Sequence, residues 1–258
     1  MGTVSRVAIE VVAFGTAEYP ASLTDLRNPP DQLYAIGNVS LLEKRLVSIV
    51  GTRNATPYGL RTARSIATAL AAAGIGIVSG MARGIDAAAH RAALDVAGDT
   101  IAVLGTGVDV PYPVGHRELH ATIGELGLVV SESGNGTTAF PGSFPRRNRI
   151  IAALGIATIV IEAGHKSGAL NTATHAMELS RPVAVVPGPI DSPESAGANQ
   201  LIRDGAIVIA SIDDALALVG LDHAQQKEPI HLGGPEAKVW SATGTDSLSI
   251  DVLAARAG

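Results

Sequence analysis

The sequence predicts an α/β fold of the extended Rossmann-like kind, a doubly wound, mainly parallel sheet with helices on both faces. Three observations carry this. The 258 residues are 47% apolar and only 17% charged, enough to enclose a sizeable core and too apolar for a disordered chain. Short β-branched runs alternate with helical stretches about seven times between residues 45 and 220. The apolar runs are continuous, as in strands covered on both sides.

The elements follow in order. Residues 1–40 read as a lead-in segment, because "EYPASLTDLRNPPDQLYAIGN" is punctuated by Pro, Asn and Asp, which favour turns and short helices. The main domain spans 41–220. "RLVSIVG" (45–51) is a strand closed by Gly, and "PYGLRTARSIATALAAAG" (57–74) a helix with Pro at its start and Gly at its end. A strand at 75–80 leads to a helix at 86–98, with Asp86 as N-cap and Gly98 just past its end. Strand 100–105, helix 116–127 and strand 128–132 come next. Helix 145–155 has Pro145 at its first position and precedes strand 156–164. Helix 168–180, strand 181–188, short helix 197–205, strand 206–211 and helix 212–220 complete the alternation. Residues 221–235 are polar and turn-rich, a linker, and 236–258 form a C-terminal tail too short to hold its own core.

Composition removes several function classes. Net charge is −5, so any polyanion binding must rest on a local basic groove. The absence of cysteine excludes disulfides, thiolate chemistry and Cys-based zinc sites. The first residues do not have the pattern of a signal peptide, and no run reaches the roughly 18–20 apolar residues of a membrane span. The expectation is a cytoplasmic protein without a membrane segment.

Several motifs offer chemistry. Gly51-Thr52-Arg53 closes the first strand of the main domain, where a Gly turn lets backbone N–H groups face an anion and Arg53 adds donors. Asp86 and His90 share a helix face, but the pattern reads as a capped helix with an exposed His rather than a catalytic dyad. His116 and His120 have the spacing of a zinc pair, yet no third ligand follows, so they read as a polar helix face and no metal is expected. No G-x-S-x-G elbow, P-loop or well-placed G-x-G-x-x-G occurs, so no catalytic residue and no cofactor are assigned.

The strongest feature is "FPGSFPRRNRII" (140–151). Arg146, Arg147 and Arg149 crowd the first turn of a helix, where the dipole favours anions. No Asp or Glu occurs from Ser133 to Ile161, so the cluster calls for a polyanion or for acids folded over it from elsewhere. Phe144 sits at the tip of the turn. Lys166-Ser167-Gly168 form a second basic turn at a helix start, and Asn199 opens another short helix after "PGPIDSPESAGA". In a doubly wound sheet these loops share one rim, which describes a groove for an extended phosphate chain with aromatic groups for stacking.

The stretches "YPASLTDLRNPPDQLYAIGN", "VSIVGTRNATPYG", "SGMARGIDAAAHRAAL", "TIAVLGTGVDVPYP", "SESGNG", "FPRRNRIIAAL", "EAGHKSGALNTATHA", "AVVPG" and "GANQLIRDGA" together resemble the DNA-processing protein A family (DprA, or Smf). The resemblance implies a Rossmann-like domain that binds single-stranded DNA, protects incoming strands and helps load a RecA-type recombinase in natural transformation, without enzymatic activity. It implies that Arg53, Arg147, Asn148 and Lys166-Ser167-Gly168 line the DNA pocket, with Phe144 as its aromatic, and that the chain forms a homodimer. It makes the tail resemble the first half of a winged-helix domain. His116, Asn171 and Ala198 stand where the family commonly has Asn, an apolar residue and Thr. Two other readings stay open from the residues alone: a sensor for a small nucleotide, and a phosphoribohydrolase-like enzyme of related fold, whose P-G-G-x-G-T-x-x-E motif is not matched here. On these grounds Arg147 and Asn148 should face the DNA, Ile150 and Ile151 should turn inward, and Arg146 and Arg149 serve either as electrostatic support or in ion pairs with the protein.

Overall fold

A run of Val and Ile without polar interruption has no face to show water, so it belongs inside a sheet covered on both sides. The computed structural model describes residues 8–221; apart from Leu221, the linker (221–235) and the tail (236–258) lie outside them. The strands are β1 (Glu10–Ala13), β2 (Gln32–Gly37), β3 (Leu46–Gly51), β4 (Gly76–Ser79), β5 (Thr100–Val103), β6 (Leu128–Ser131), β7 (Thr158–Ile161), β8 (Val183–Val186) and β9 (Ile207–Val208). They form one sheet in the order β1-β2-β6-β5-β4-β3-β7-β8-β9. Every residue of β4 to β8 is buried, as their continuous apolar runs require.

The helices are α1 (Pro57–Ala72), α2 (Ile85–Asp95), α3 (Arg117–Leu126), α4 (Ser143–Leu154), α5 (Gly168–Glu178), α6 (Ala196–Arg203) and α7 (Ile212–Ala217). Alternate residues of β3 feed opposite cores. Leu46 and Val50 pack with α4, α5 and α6, whereas Val47 and Ile49 pack with α1, α2 and α7. The sheet is therefore wound on both faces, as predicted. Ile150 and Ile151 are fully buried on the α4 face and anchor that helix.

From β3 the parallel order runs outward in two directions, through β4, β5 and β6 one way and β7, β8 and β9 the other. The switch point lies between β3 and β7, whose last residues Gly51 and Ile161 are register partners. Ligands of doubly wound sheets bind beyond such a point.

The lead-in segment differs from its sequence reading. It supplies β2, which pairs antiparallel with β6, and β1, which pairs antiparallel with β2 at the sheet edge. The caps of α2 differ too. Its N-cap is Gly84, at φ 77°, a left-handed conformation that favours glycine. The Asp86 carboxylate is buried and accepts from the Gly80 and Ala82 amides at 3.2 and 3.3 Å. At the other end Ala97 takes the left-handed turn (φ 52°). Gly98 is needed instead for packing, because a Cβ there would lie 2.7 Å from that of Ala71. Helix α4 starts at Ser143, two residues before Pro145.

His90 is fully buried, not exposed. Thr100 Oγ1 donates to the Ile77 carbonyl and accepts from His90 Nδ1 at 2.7 Å. Burial lowers the His90 pKa from 6.5 to about 3. The unfolded chain takes up a proton near 6.5 and the folded chain does not until about 3. This depressed group therefore contributes stability above pH 6.5 that is lost as pH falls toward 3, by up to about 1.4 kcal/mol per pH unit. His90→Gln should flatten that acid dependence. Urea unfolding at several pH values checks it, and parallel losses in both proteins would refute it.

Candidate nucleic-acid interface

At the switch point the loops after β3, β4 and β7 meet the start of α4 around a cleft of about 550 Å³. Arg53, Phe144, Arg147, Asn148 and Lys166-Ser167-Gly168 all line it, together with Gly51 and Thr52. Sequence reading placed these residues in one groove, and the fold brings them together. Among the described residues, Arg53 and Lys166 have no acid within ion-pair distance. Both are exposed.

Phe144 is the centre of a stack. The Arg53 guanidinium carbon lies 5.4 Å from its ring centroid. The Tyr112 ring, on the loop after β5, lies 4.9 Å away on a 35° tilt. The rim thus carries a half-buried aromatic flanked by a cation and a second, exposed ring. Such a platform accepts the face of any base.

Arg147 lines the cleft as expected, and the protein itself holds its guanidinium there. It is 5% exposed, and Nη1 donates to the carbonyls of Gly80 (2.8 Å) and Val103, while Nε donates to Asn148 Oδ1 at 3.2 Å. Burial pulls its pKa down to about 10, a shift opposed by Asp86 and reinforced by Arg53. Gly80 must be glycine for this seat, since a Cβ would stand 2.5 Å from Arg147 Nη2. Arg147 is the charged floor of the cleft rather than a free arm. Asn148 is buried too, and its amide donates to the Gly168 carbonyl (3.2 Å) and Asn171 Oδ1 (3.1 Å). It ties the α5 start to α4.

The remaining arginines of the cluster pair with the protein. Glu132, just before the acid-free stretch, accepts from Arg146 Nη2 at 3.1 Å and Arg149 Nη2 at 2.5 Å. Its side chain is 7% exposed, and Arg149 is mostly buried with it. The polyanion suggested by the crowding is therefore replaced in part by one acid.

The α1 terminus is also occupied. Glu162, after β7, is buried with φ 49°, and its carboxylate accepts from Thr56 N at 2.8 Å and from Thr56 Oγ1. Thr52 N donates to the Glu162 carbonyl at 2.7 Å. The backbone anion cradle expected after Gly51 is thus filled by this carboxylate. The open helix start in the cleft is that of α5, capped by Ser167, whose Oγ accepts from Ala169 N at 3.3 Å.

Residues 10–220 match the family described as DNA recombination-mediator protein A. The chain belongs to this family. A DprA protein of Mycobacterium tuberculosis (H37Rv) is 46% identical over 193 residues, which cover 74% of this chain and 50% of that one. This chain thus spans about half the length of that curated relative. The crystal structure of DprA from Streptococcus pneumoniae superposes with a TM-score of 0.78 at 41% identity, covering 81% of this chain and 74% of that one. DprA from Helicobacter pylori, described for its single-stranded DNA binding mode, gives 0.75 at 32% identity, covering 83% and 97%.

Within this DprA-family domain, Asn199 is the assigned residue that falls outside the cleft. Its Oδ1 accepts from Gly188 N (3.1 Å) and its Nδ2 donates to Gly188 O (3.0 Å), so both amide atoms pin the loop after β8. His116, the residue before α3, and His120 within it are staples as well. His116 Nδ1 donates to the Met81 carbonyl at 2.9 Å, and His120 Nε2 to the Val108 carbonyl at 2.7 Å. Burial lowers the His120 pKa. They form neither the polar face expected of them nor a metal pair, and no three-residue metal cluster occurs among the described residues. No described helix is long and apolar enough to cross a membrane.

Sequence reasoning missed Tyr112, Gly80 and Glu162. "VPYP" marked a loop, and only the fold shows that this loop brings a ring to Phe144. Asn171, the departure from the family's usual apolar residue, turns out to be the partner of Asn148.

Proposed function

We propose that this chain is a non-catalytic single-stranded DNA-binding protein that protects incoming strands and helps to load a RecA-type recombinase, acting as a homodimer. The observation that carries the DNA reading is the rim itself: the Arg53–Phe144–Tyr112 stack beside Lys166, over a buried cationic floor. Phosphates find exposed cations without acid partners, and bases find an aromatic face that does not discriminate among them. The H. pylori relative supports the single-strand preference by what it is described to bind. Recombination mediation, the family's description, supports the recombinase as partner.

The nucleotide-sensor and phosphoribohydrolase readings lose ground on one feature. The Rossmann phosphate seat at α1 holds the Glu162 carboxylate, which repels a nucleotide's phosphates. Titration of single- and double-stranded oligonucleotides of mixed sequence, at two or more salt concentrations, tests the proposal. Tight, sequence-tolerant binding of single strands that weakens steeply with salt is expected. Equal affinity for duplex, or release of base from nucleoside monophosphates, would overturn it.

A further inference from the structure

The central cleft is not isolated. Two further clefts, of about 450 and 420 Å³, adjoin it at Arg53, which lines all three. The first lies under Tyr112 and Phe144 and adds Arg83 and His116. The second lies between α1 and α2 and adds Asn54, Arg64 and Arg91. His116 belongs to both flanking clefts and Arg53 to all three, so the spaces adjoin one another at these two residues. His116 Nδ1 is committed to Met81, which fixes the ring as the wall between the flanking clefts.

The charge pattern is one-sided. No carboxylate lines either flanking cleft. Among the described residues Arg83 and Arg91 have no acid within ion-pair distance, and both are exposed. Arg64 pairs with Asp95 at 2.8 Å, but both side chains are more than half exposed, so water and salt screen that pair. On a chain of net charge −5, a run of cations along one series of clefts concentrates positive potential there. Each flanking volume falls in the range of about 300–1,000 Å³ in which ligand-sized groups are held.

We infer that the strand does not end at the central cleft: it passes the Tyr112–Phe144 stack and His116 into the α1–α2 cleft, where Arg91 holds its outer phosphates. This rests on the single-strand reading above and extends its footprint. The ligand class is a flexible phosphodiester chain, whose unpaired bases can reach the Tyr112–Phe144 stack.

The test is length dependence. Affinities of oligo-dT of about 4, 8 and 16 nucleotides are measured by fluorescence anisotropy for the parent, Arg91→Ala, Arg83→Ala and Lys166→Ala. In the parent, affinity should rise with length. Arg91→Ala and Arg83→Ala should reduce that rise about threefold to tenfold for the longest oligonucleotide and make its salt slope shallower by about one. Lys166→Ala should weaken binding at every length. If Arg91→Ala and Arg83→Ala keep the parent's full rise with length, the extension is wrong and the central site stands. A loss in Arg91→Ala that is equal at all lengths would likewise overturn the outer placement. A parent without affinity at any length would overturn the single-strand reading beneath it.

Discussion

Arg53→Ala is expected to lower affinity for every single-stranded sequence alike, by on the order of 10- to 100-fold at moderate salt. That range corresponds to about 1.5–3 kcal/mol, the value of a charge-assisted hydrogen bond. The mutation also takes the cation from the Phe144 face, 5.4 Å away, and the residue common to all three clefts. The salt slope should become shallower by about one, because one fewer phosphate is neutralised. Arg53 is exposed and has no ion-pair partner among the described residues, so folding stability should stay within about 0.5 kcal/mol of the parent. Anisotropy titrations at several salt concentrations, paired with urea unfolding, check both parts. An unchanged affinity would mean that the strand follows some other rim.

Arg147→Ala should act on the fold. Its loss strands the Gly80 and Val103 carbonyls and the Asn148 side chain, and leaves buried Asp86 without the cation that offsets its burial. Breaking a buried charged arrangement from one side costs about 3–5 kcal/mol. Arg147→Lys should recover less than half of that, since one ammonium cannot reproduce a planar fork aimed at several acceptors. Urea unfolding of the three proteins measures it. Parent-like stability combined with lost DNA affinity would return Arg147 to the role of a direct ligand contact.

The contrast between these two arginines shows what a sequence reveals. Arg53 follows a β-branched run that ends in Gly, so its place at a strand's C-terminal end is local information. The same holds for Lys166 and Phe144. The central strands were legible because nothing but burial on both sides explains runs such as "VSIV". Arg147 lines the cleft as expected, but its burial was not legible because it depends on Gly80, 67 residues away, which leaves space for a guanidinium. Asn199 looked like a loop ligand, but its amide is used up by Gly188. β1 and β2 escaped notice because their short runs lie beside turn formers, and the pairing of β2 with β6 is set far along the chain. Glu132 lay one residue outside the stretch that made the arginines conspicuous.

Glu162 has a consequence for selectivity among phosphate-bearing ligands. In a Rossmann fold an open first-helix terminus is a phosphate seat that a free nucleotide can occupy. Here an internal carboxylate already sits in that place, so the protein acts as its own competitor. A monomer that offers one strong phosphate contact gains nothing at α1. A polymer gains by adding many modest contacts along the rim. On the single-strand reading proposed above, discrimination at the first-helix terminus shifts from the chemistry of a single unit to its repetition.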